Sequence, residues 1–150
     1  MPNVGVLVGL ICAAIGAVAL APQPVVAHGY TLTSVHQSLA DVAKEEGVLD
    51  RVGAVMDREL RPGAKAEFVF TIDPAKSYRV LGVCDLDCDD LEITISNAAT
   101  GEILHEDEER DAFPVADIDL SGAKRIEISV TMADCSDSEC IFAAGLYRVD

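Results

Sequence analysis

Apolar and polar residues alternate through much of the chain after Ala64, and this pattern limits the possible fold more than any other feature. About seven short segments have strand character, and turns rich in Gly, Pro, Asn and Asp separate them. These segments are residues 67–72, 78–83, 91–96, 102–105, 115–120, 125–132 and 141–149. A period of two is typical of strands with one buried face. Because such faces must be covered by a second layer, the pattern predicts a mainly β protein built as a β-sandwich.

Two cysteine pairs lie in acidic loops at the ends of predicted strands, Cys84 with Cys88 and Cys135 with Cys140. Free buried thiols are not expected among Asp and Ser, and zinc clusters usually pair cysteines at shorter spacing. We therefore expect disulfides, for which three pairings are possible. A crossed pairing would close a long loop worth roughly 4 kcal/mol, against about 2 kcal/mol for each local loop. We favour the local pairing because each pair lies in one predicted turn, where it would stiffen a strand end.

The N-terminal region has the character of an export signal. Residues 4–21 carry no charge, prolines follow, and small or β-branched residues lead up to Ala27. The pattern predicts a signal peptide at 1–27, cleaved after Ala27. The alternative is an uncleaved membrane anchor, since the apolar run is just long enough to span a bilayer and no Lys or Arg precedes it. Export also fits the cysteine pairs, so we expect a periplasmic or secreted protein.

A helix is expected between the signal peptide and the strands. Ser34 and Gln37 have the spacing of a capping box, the apolar residues that follow recur at helical spacing, and Gly47 ends the helix after about Glu46. Residues 48–60 fit a helix or a strand equally well, so their structure stays open. We expect a helical segment at 28–50 and a β-sandwich domain at 51–150.

The acidic composition limits the partners of the protein. The chain has 26 Asp and Glu against 11 Lys and Arg, a formal net charge of −15. Such a charge repels nucleic acid and anionic membrane surfaces, and it favours cations, basic partners or simple solubility. We expect no membrane contact after signal cleavage, a monomer, and a cation or an unidentified protein as the partner.

Several features of residues 78–149 occur together in one kind of exported domain. They are the strand at Tyr78, the pattern Asp90-Leu91-x-Ile93-x-Ile95, Gly101 after a turn, and a last strand with Leu146 and Tyr147. With these features the stretch resembles the bacterial pre-peptidase C-terminal type of domain, in a variant with added cysteine loops. The resemblance implies a jelly-roll-like β-sandwich that acts as a non-catalytic accessory or binding module.

One cluster of carboxylates could hold a metal ion. Asp85, Asp87, Asp89 and Asp90 lie within six residues, and alternate positions in a turn can direct several carboxylates at one calcium ion. An EF-hand is excluded, because Asp90 stands where that loop needs glycine. The segment 106–111 could supply further ligands. The competing interpretation is a solvated acidic loop whose Asp side chains accept bonds from turn amides.

A copper site is the alternative function. Cleavage after Ala27 would leave His28 at the N-terminus, where its amine and imidazole can chelate Cu(II) if His36 or His105 joins. The start His28-Gly29-Tyr30 resembles that of bacterial lytic polysaccharide monooxygenases, which implies a copper-dependent oxidase.

Hydrolase motifs are missing from the sequence, which contains neither a nucleophile elbow, nor HExxH, nor a phosphate loop. We therefore predict a non-catalytic binding or structural module, stabilised by calcium, rather than an enzyme.

Overall fold

The computed structural model of the protein describes residues 31–149. The predicted signal peptide, its cleavage site at Ala27 and the proposed copper ligand His28 lie outside these residues. One helix and eight strands make up the described part. They are α1 (Leu32–Glu45), β1 (Asp50–Leu60), β2 (Lys65–Thr71), β3 (Tyr78–Cys84), β4 (Cys88–Asn97), β5 (Ile103–Glu106), β6 (Val115–Ile118), β7 (Arg125–Cys135) and β8 (Cys140–Arg148).

The strands form two antiparallel four-stranded sheets packed face to face, so the predicted sandwich is confirmed. One sheet has the order β1-β8-β3-β6 and the other the order β2-β7-β4-β5. We name them the helix-covered sheet and the solvent-facing sheet. Successive strands lie in different sheets, except β4 and β5, which pair within the solvent-facing sheet. This strand order is the arrangement of an eight-stranded jelly roll.

The helix explains why two strands lack clean alternation. Val35, Leu39 and Ala43 of α1 pack on the outer faces of β3 and β8, the central strands of the helix-covered sheet. These two strands are therefore buried on both faces, and each reads as a nearly continuous apolar run. The outer face of the other sheet contacts water, so its strands alternate.

The segment 48–60, left open from the sequence, is mostly the edge strand β1. Its helix-like spacing arises from an irregularity in its pairing with β8. Val52 pairs with Leu146 and Met56 with Ala144, so four steps along β1 match two along β8. Gly53 lies within the irregular part with φ of +76°, a conformation that glycine adopts without strain.

The helix begins earlier than the sequence predicts. Thr31 is its N-cap, and Ser34 is the third residue of the reciprocal capping box rather than its start. The Thr31 amide donates to Ser34 Oγ over 2.9 Å, while the Ser34 amide donates to Thr31 Oγ1 over 3.3 Å. Gln37 instead donates to Asp41, one turn further on. The predicted end of the helix is confirmed, with Glu46 as the C-cap.

Both disulfides have the predicted local pairing, but they do more than stiffen a strand end. Cys84 ends β3 in the helix-covered sheet, and Cys88 begins β4 in the solvent-facing sheet. The second disulfide crosses back, from Cys135 at the end of β7 to Cys140 at the start of β8. Each therefore joins the two sheets. Cystines of this kind indicate an oxidising compartment outside the cytoplasm.

Within residues 31–149, α1 lacks the length and apolar character that a helix needs to cross a lipid bilayer.

Candidate functional site

The two cysteine turns pack against each other at one end of the sandwich. Cys88 and Cys135 are register partners in the solvent-facing sheet. Ser136 donates to the Asp87 carbonyl oxygen twice, from its amide over 2.7 Å and from its hydroxyl over 3.0 Å. The two turns therefore form a single corner held by two disulfides and by hydrogen bonds between them.

Asp85 is the buried carboxylate of this corner, with 8% of its surface exposed. Its Oδ2 accepts a hydrogen bond of 2.7 Å from the Ile141 amide, and its own amide donates to the Ile141 carbonyl oxygen. Burial raises the pKa of Asp85, the Ile141 amide opposes that change, and the charges of Asp87 and Asp137 add to the increase. Asp85 thus ties the first cysteine turn to the start of β8.

The four aspartates predicted to share a cation lie in three different environments. Asp85 and Asp87 belong to the corner, and Asp89 is exposed at the start of β4. Asp90 lies near the positive charge of Arg110 and near several other carboxylates. Within the described range 31–149, there is no group of three or more His, Cys, Asp or Glu side chains arranged to hold a metal ion.

A second group of carboxylates lies around β4, and the sequence alone does not predict that these residues come together. We call it the edge cluster; it contains Asp90, Glu92, Asp107, Asp111 and Asp134. The alternation of β4 buries its other face, which directs Asp90 and Glu92 outward. Two backbone bonds hold the segment after β5 against β4: Asp107 donates to the Ile93 carbonyl over 2.9 Å, and Leu91 donates to the Asp111 carbonyl over 2.8 Å.

Negative charge in the edge cluster is only partly compensated. Burial raises the pKa of Asp90, Arg110 opposes this, and repulsion from Asp134, Asp111 and Asp107 adds to it. Arg110 donates to Asp134 Oδ2 over 2.6 Å, on the exposed surface.

Glu92 and Asp107 also contribute to the excess of negative charge in the edge cluster. Burial raises the pKa of Glu92, and repulsion from Asp90 and Asp107 raises it further. Asp90 Oδ1 and Asp107 Oδ2 are enclosed by protein atoms and accept no hydrogen bond. Enclosed carboxylate oxygens without donors favour a proton or a bound cation.

The cluster escaped prediction for a topological reason. Asp90 and Glu92 are two residues apart in β4, so the sequence shows that they lie near each other. Asp134 comes next to Asp90 only because β4 pairs with β7. The sequence indicates residues 106–111 as a possible source of ligands, but it does not place them beside β4.

The two histidines within residues 31–149, His36 and His105, lie far apart. His36 on α1 hydrogen bonds through Nε2 to Asp57 Oδ2 of β1 at 2.9 Å. His105 lies on β5. The edge strands β1 and β2 meet at one side of the sandwich, whereas β5 and β6 meet at the opposite side, far from Asp57 and His36. A copper ion could therefore use at most one of them with His28, and that site stays a prediction.

One basic side chain with a structural function also went unpredicted. Arg79 of β3 binds Asp117 of β6 at 2.7 Å and 3.0 Å and Glu46 at the end of α1 at 2.8 Å. Its hydrogen bonds hold the pKa of Asp117 below the ordinary value. This cation ties the helix and the edge strand to β3.

No protein-family model matches this chain. No curated protein matches it either.

Proposed function

We propose that the protein is an exported, non-catalytic binding module whose acidic surface binds cations or a basic partner. The observation that carries this proposal is the edge cluster, where Asp90 and Asp107 each present an enclosed oxygen without a donor. Burial, together with repulsion from neighbouring carboxylates, raises the pKa of Asp90 and Glu92, and a positive group at this position would oppose both effects.

The resemblance to the pre-peptidase C-terminal type of domain supports the same proposal. That resemblance implies a jelly-roll-like accessory module, and the strand order of the two sheets agrees with such an architecture. We propose that the protein contains a domain of this kind. The proposal rests on the strands at Tyr78 and Leu91 and on the final strand with Tyr147.

Calcium is the cation we propose, because it accepts carboxylate and carbonyl oxygens in flexible numbers and geometry. Asp90 and Asp107 could supply protein oxygens, with water completing the shell. Asp85, Asp87 and Asp89 form the second position to be tested. A ligand that binds only the folded protein stabilises it by about 2.7 kcal/mol at 100 times its Kd.

The test is thermal unfolding with added calcium, compared with sodium chloride at equal ionic strength. We expect calcium to raise Tm beyond the salt control, and we expect the Asp90→Asn/Asp107→Asn variant to lose that increase. The Asp85→Asn/Asp87→Asn/Asp89→Asn variant tests the second position in the same way. Asp41→Asn/Glu45→Gln, on the exposed face of α1, is the control for lost charge. Equal Tm values with and without calcium would remove calcium from the proposal.

Export itself is tested by the mass of the protein recovered from the periplasm or medium of an expressing bacterium. We expect a chain that begins at His28 and gains four hydrogen masses on full reduction, two for each disulfide. A protein retained in the membrane with residues 1–27 attached would contradict cleavage. A different first residue would also remove the copper alternative.

A further inference from the structure

A cleft lies at the side of the sandwich where the edge strands β5 and β6 meet. Each of these strands is hydrogen bonded to one neighbour, β5 to β4 and β6 to β3. The segment between them passes from one sheet to the other. The cleft has a volume of about 480 Å³. It is lined by His105, by five carboxylate residues between Glu106 and Asp111, and by Phe113 and Val115.

One wall of the cleft is strongly acidic. Five of its eight lining residues are carboxylates, and none of the eight is Lys or Arg. The cation between Glu109 and Asp111 in the sequence, Arg110, pairs with Asp134 of β7 and is not among the lining residues. Asp107 Oδ1 accepts the Glu109 amide at 3.1 Å, whereas its enclosed Oδ2 has no donor.

The other wall is apolar and belongs to neither apolar core cluster. Phe113 is 53% exposed and Val115 is 41% exposed. They are two residues apart, around buried Pro114, as residues on the same face of an extended segment are. An occupant that satisfies both walls therefore needs cationic and apolar side chains side by side.

The backbone of β6 adds a third element of recognition. The Gly82 amide donates to the Pro114 carbonyl, and the register continues with Val80 opposite Ala116. In an antiparallel pair, hydrogen-bonded positions alternate along the strand. The N–H and C=O groups of Val115 and Asp117 therefore point away from β3, toward the free edge where an added strand would pair.

We propose that this edge cleft binds an extended cationic peptide, with Lys or Arg alternating with apolar residues, which adds to β6 as a fifth strand. The proposal rests on the proposed function and names its partner. Charge complementarity selects this occupant. A second copy of the chain would bring another −15 to the same edge, and residues 1–30 contain neither Lys nor Arg.

The binding test uses a fluorescent, end-capped peptide of about eight residues that alternates lysine and valine. We expect the Glu106→Gln/Glu108→Gln/Glu109→Gln variant to bind it at least about tenfold more weakly. The matched control is Asp41→Asn/Glu45→Gln/Glu59→Gln, which removes the same charge from α1 and β1. The control should change Kd less than about twofold, because charges far from the contact are screened. Equal weakening in both variants would mean nonspecific attraction and would overturn the proposal.

The backbone pairing is tested separately, with the same peptide methylated on alternate amide nitrogens. Both registers of methylation are used, and we expect one of them to abolish binding. We also expect the amides of Val115 and Asp117 to become protected from hydrogen exchange when the unmodified peptide is bound. Full binding by both methylated peptides would overturn strand addition. Calcium-dependent stabilisation without peptide binding would remove this inference alone and leave the proposed function standing.

Discussion

Gly82 shows, at the scale of single residues, how closely the two sheets approach each other. A Cβ atom on Gly82 would lie 2.8 Å from Pro114 Cγ, 3.2 Å from Ile93 Cδ1 and 3.3 Å from Leu91 Cδ2. Pro114 therefore fills the volume that a side chain at position 82 would need, in a core without room for an added methyl group.

Substituting Gly82 by alanine should lower the free energy of unfolding by about 1–3 kcal/mol, because the added methyl group forces the ring of Pro114 to move. Urea unfolding monitored by circular dichroism measures the change. Ser77→Thr, which adds one methyl group at an exposed position, is the control and should change stability by less than about 0.5 kcal/mol. Equal stability of the Gly82→Ala protein would contradict the packing described for Pro114.

Asp90 and Glu92 have pKa values raised by burial and by neighbouring carboxylates. The folded state then holds their protons more tightly than the unfolded state does. Ionisation of these groups therefore destabilises the fold, and the cost appears as pH rises above the ordinary carboxyl pKa of about 4. Partial exposure to water reduces its size.

The Asp90→Asn/Glu92→Gln variant should consequently be more stable at pH 7 in calcium-free buffer, by about 0.5 kcal/mol or about 2 °C in Tm. At pH about 3.5 the gain should vanish, because the carboxyl groups of the parent are then largely protonated. Scanning calorimetry at both pH values makes the comparison, with the exposed Asp89→Asn as control. A gain that persists at the acidic pH would show that charge is not its cause.

At the scale of secondary-structure elements, the cysteine corner and the packing of α1 on β3 and β8 hold the sheets in place. The two disulfides cross between the sheets in opposite directions along the chain, and Ser136 bonds one turn to the other. Stabilisation of this end therefore depends on both turns being closed. The helix contributes differently, since it covers β3 and β8 with apolar side chains.

Replacing either cystine by two alanines should cost about 2 kcal/mol, the value for closing so short a loop. When both Cys84–Cys88 and Cys135–Cys140 are replaced, the loss in the free energy of unfolding should be smaller than the sum of the two single losses, by about 0.5 kcal/mol or more. The reason is that loosening one turn already weakens the other. Denaturant unfolding of the three variants and the parent completes the cycle. Losses that add within about 0.3 kcal/mol would show that the two turns are independent.

Charge acts on the whole molecule through a net value of −15. Such an excess destabilises a compact state by self-repulsion, and salt screens it. The ion pairs of Arg79 and Arg110 neutralise acidic groups locally and leave the overall imbalance in place.

Raising sodium chloride from about 0.01 M to about 0.5 M should therefore increase Tm, since the screening length falls from about 30 Å to a few ångströms. The control is the Glu45→Lys/Glu59→Lys/Glu102→Lys variant, in which three exposed residues change sign and the net charge moves by 6, from −15 to −9. Its Tm should respond less to salt. An identical response in both proteins would assign the effect to general salting-out instead of charge repulsion.

Local chemistry let the sequence predict a large part of this molecule. Alternation marks strands because side chains of successive strand residues point to opposite faces, and turn residues mark their limits. The pairing of Cys84 with Cys88 follows from their place in one turn, and the helix stop from Gly47. Residues 48–60 resisted prediction because an irregular strand imitates helical spacing.

The sequence alone determined the sandwich class, the helix, the local disulfides and an acidic surface, since these depend on neighbours along the chain. Only the tertiary structure decided what those features contact. It made two short cysteine loops into links between sheets, and it separated Asp85 from Asp90. It also brought Asp107 and Asp134 to Asp90, because strand order places side by side residues that the sequence keeps far apart.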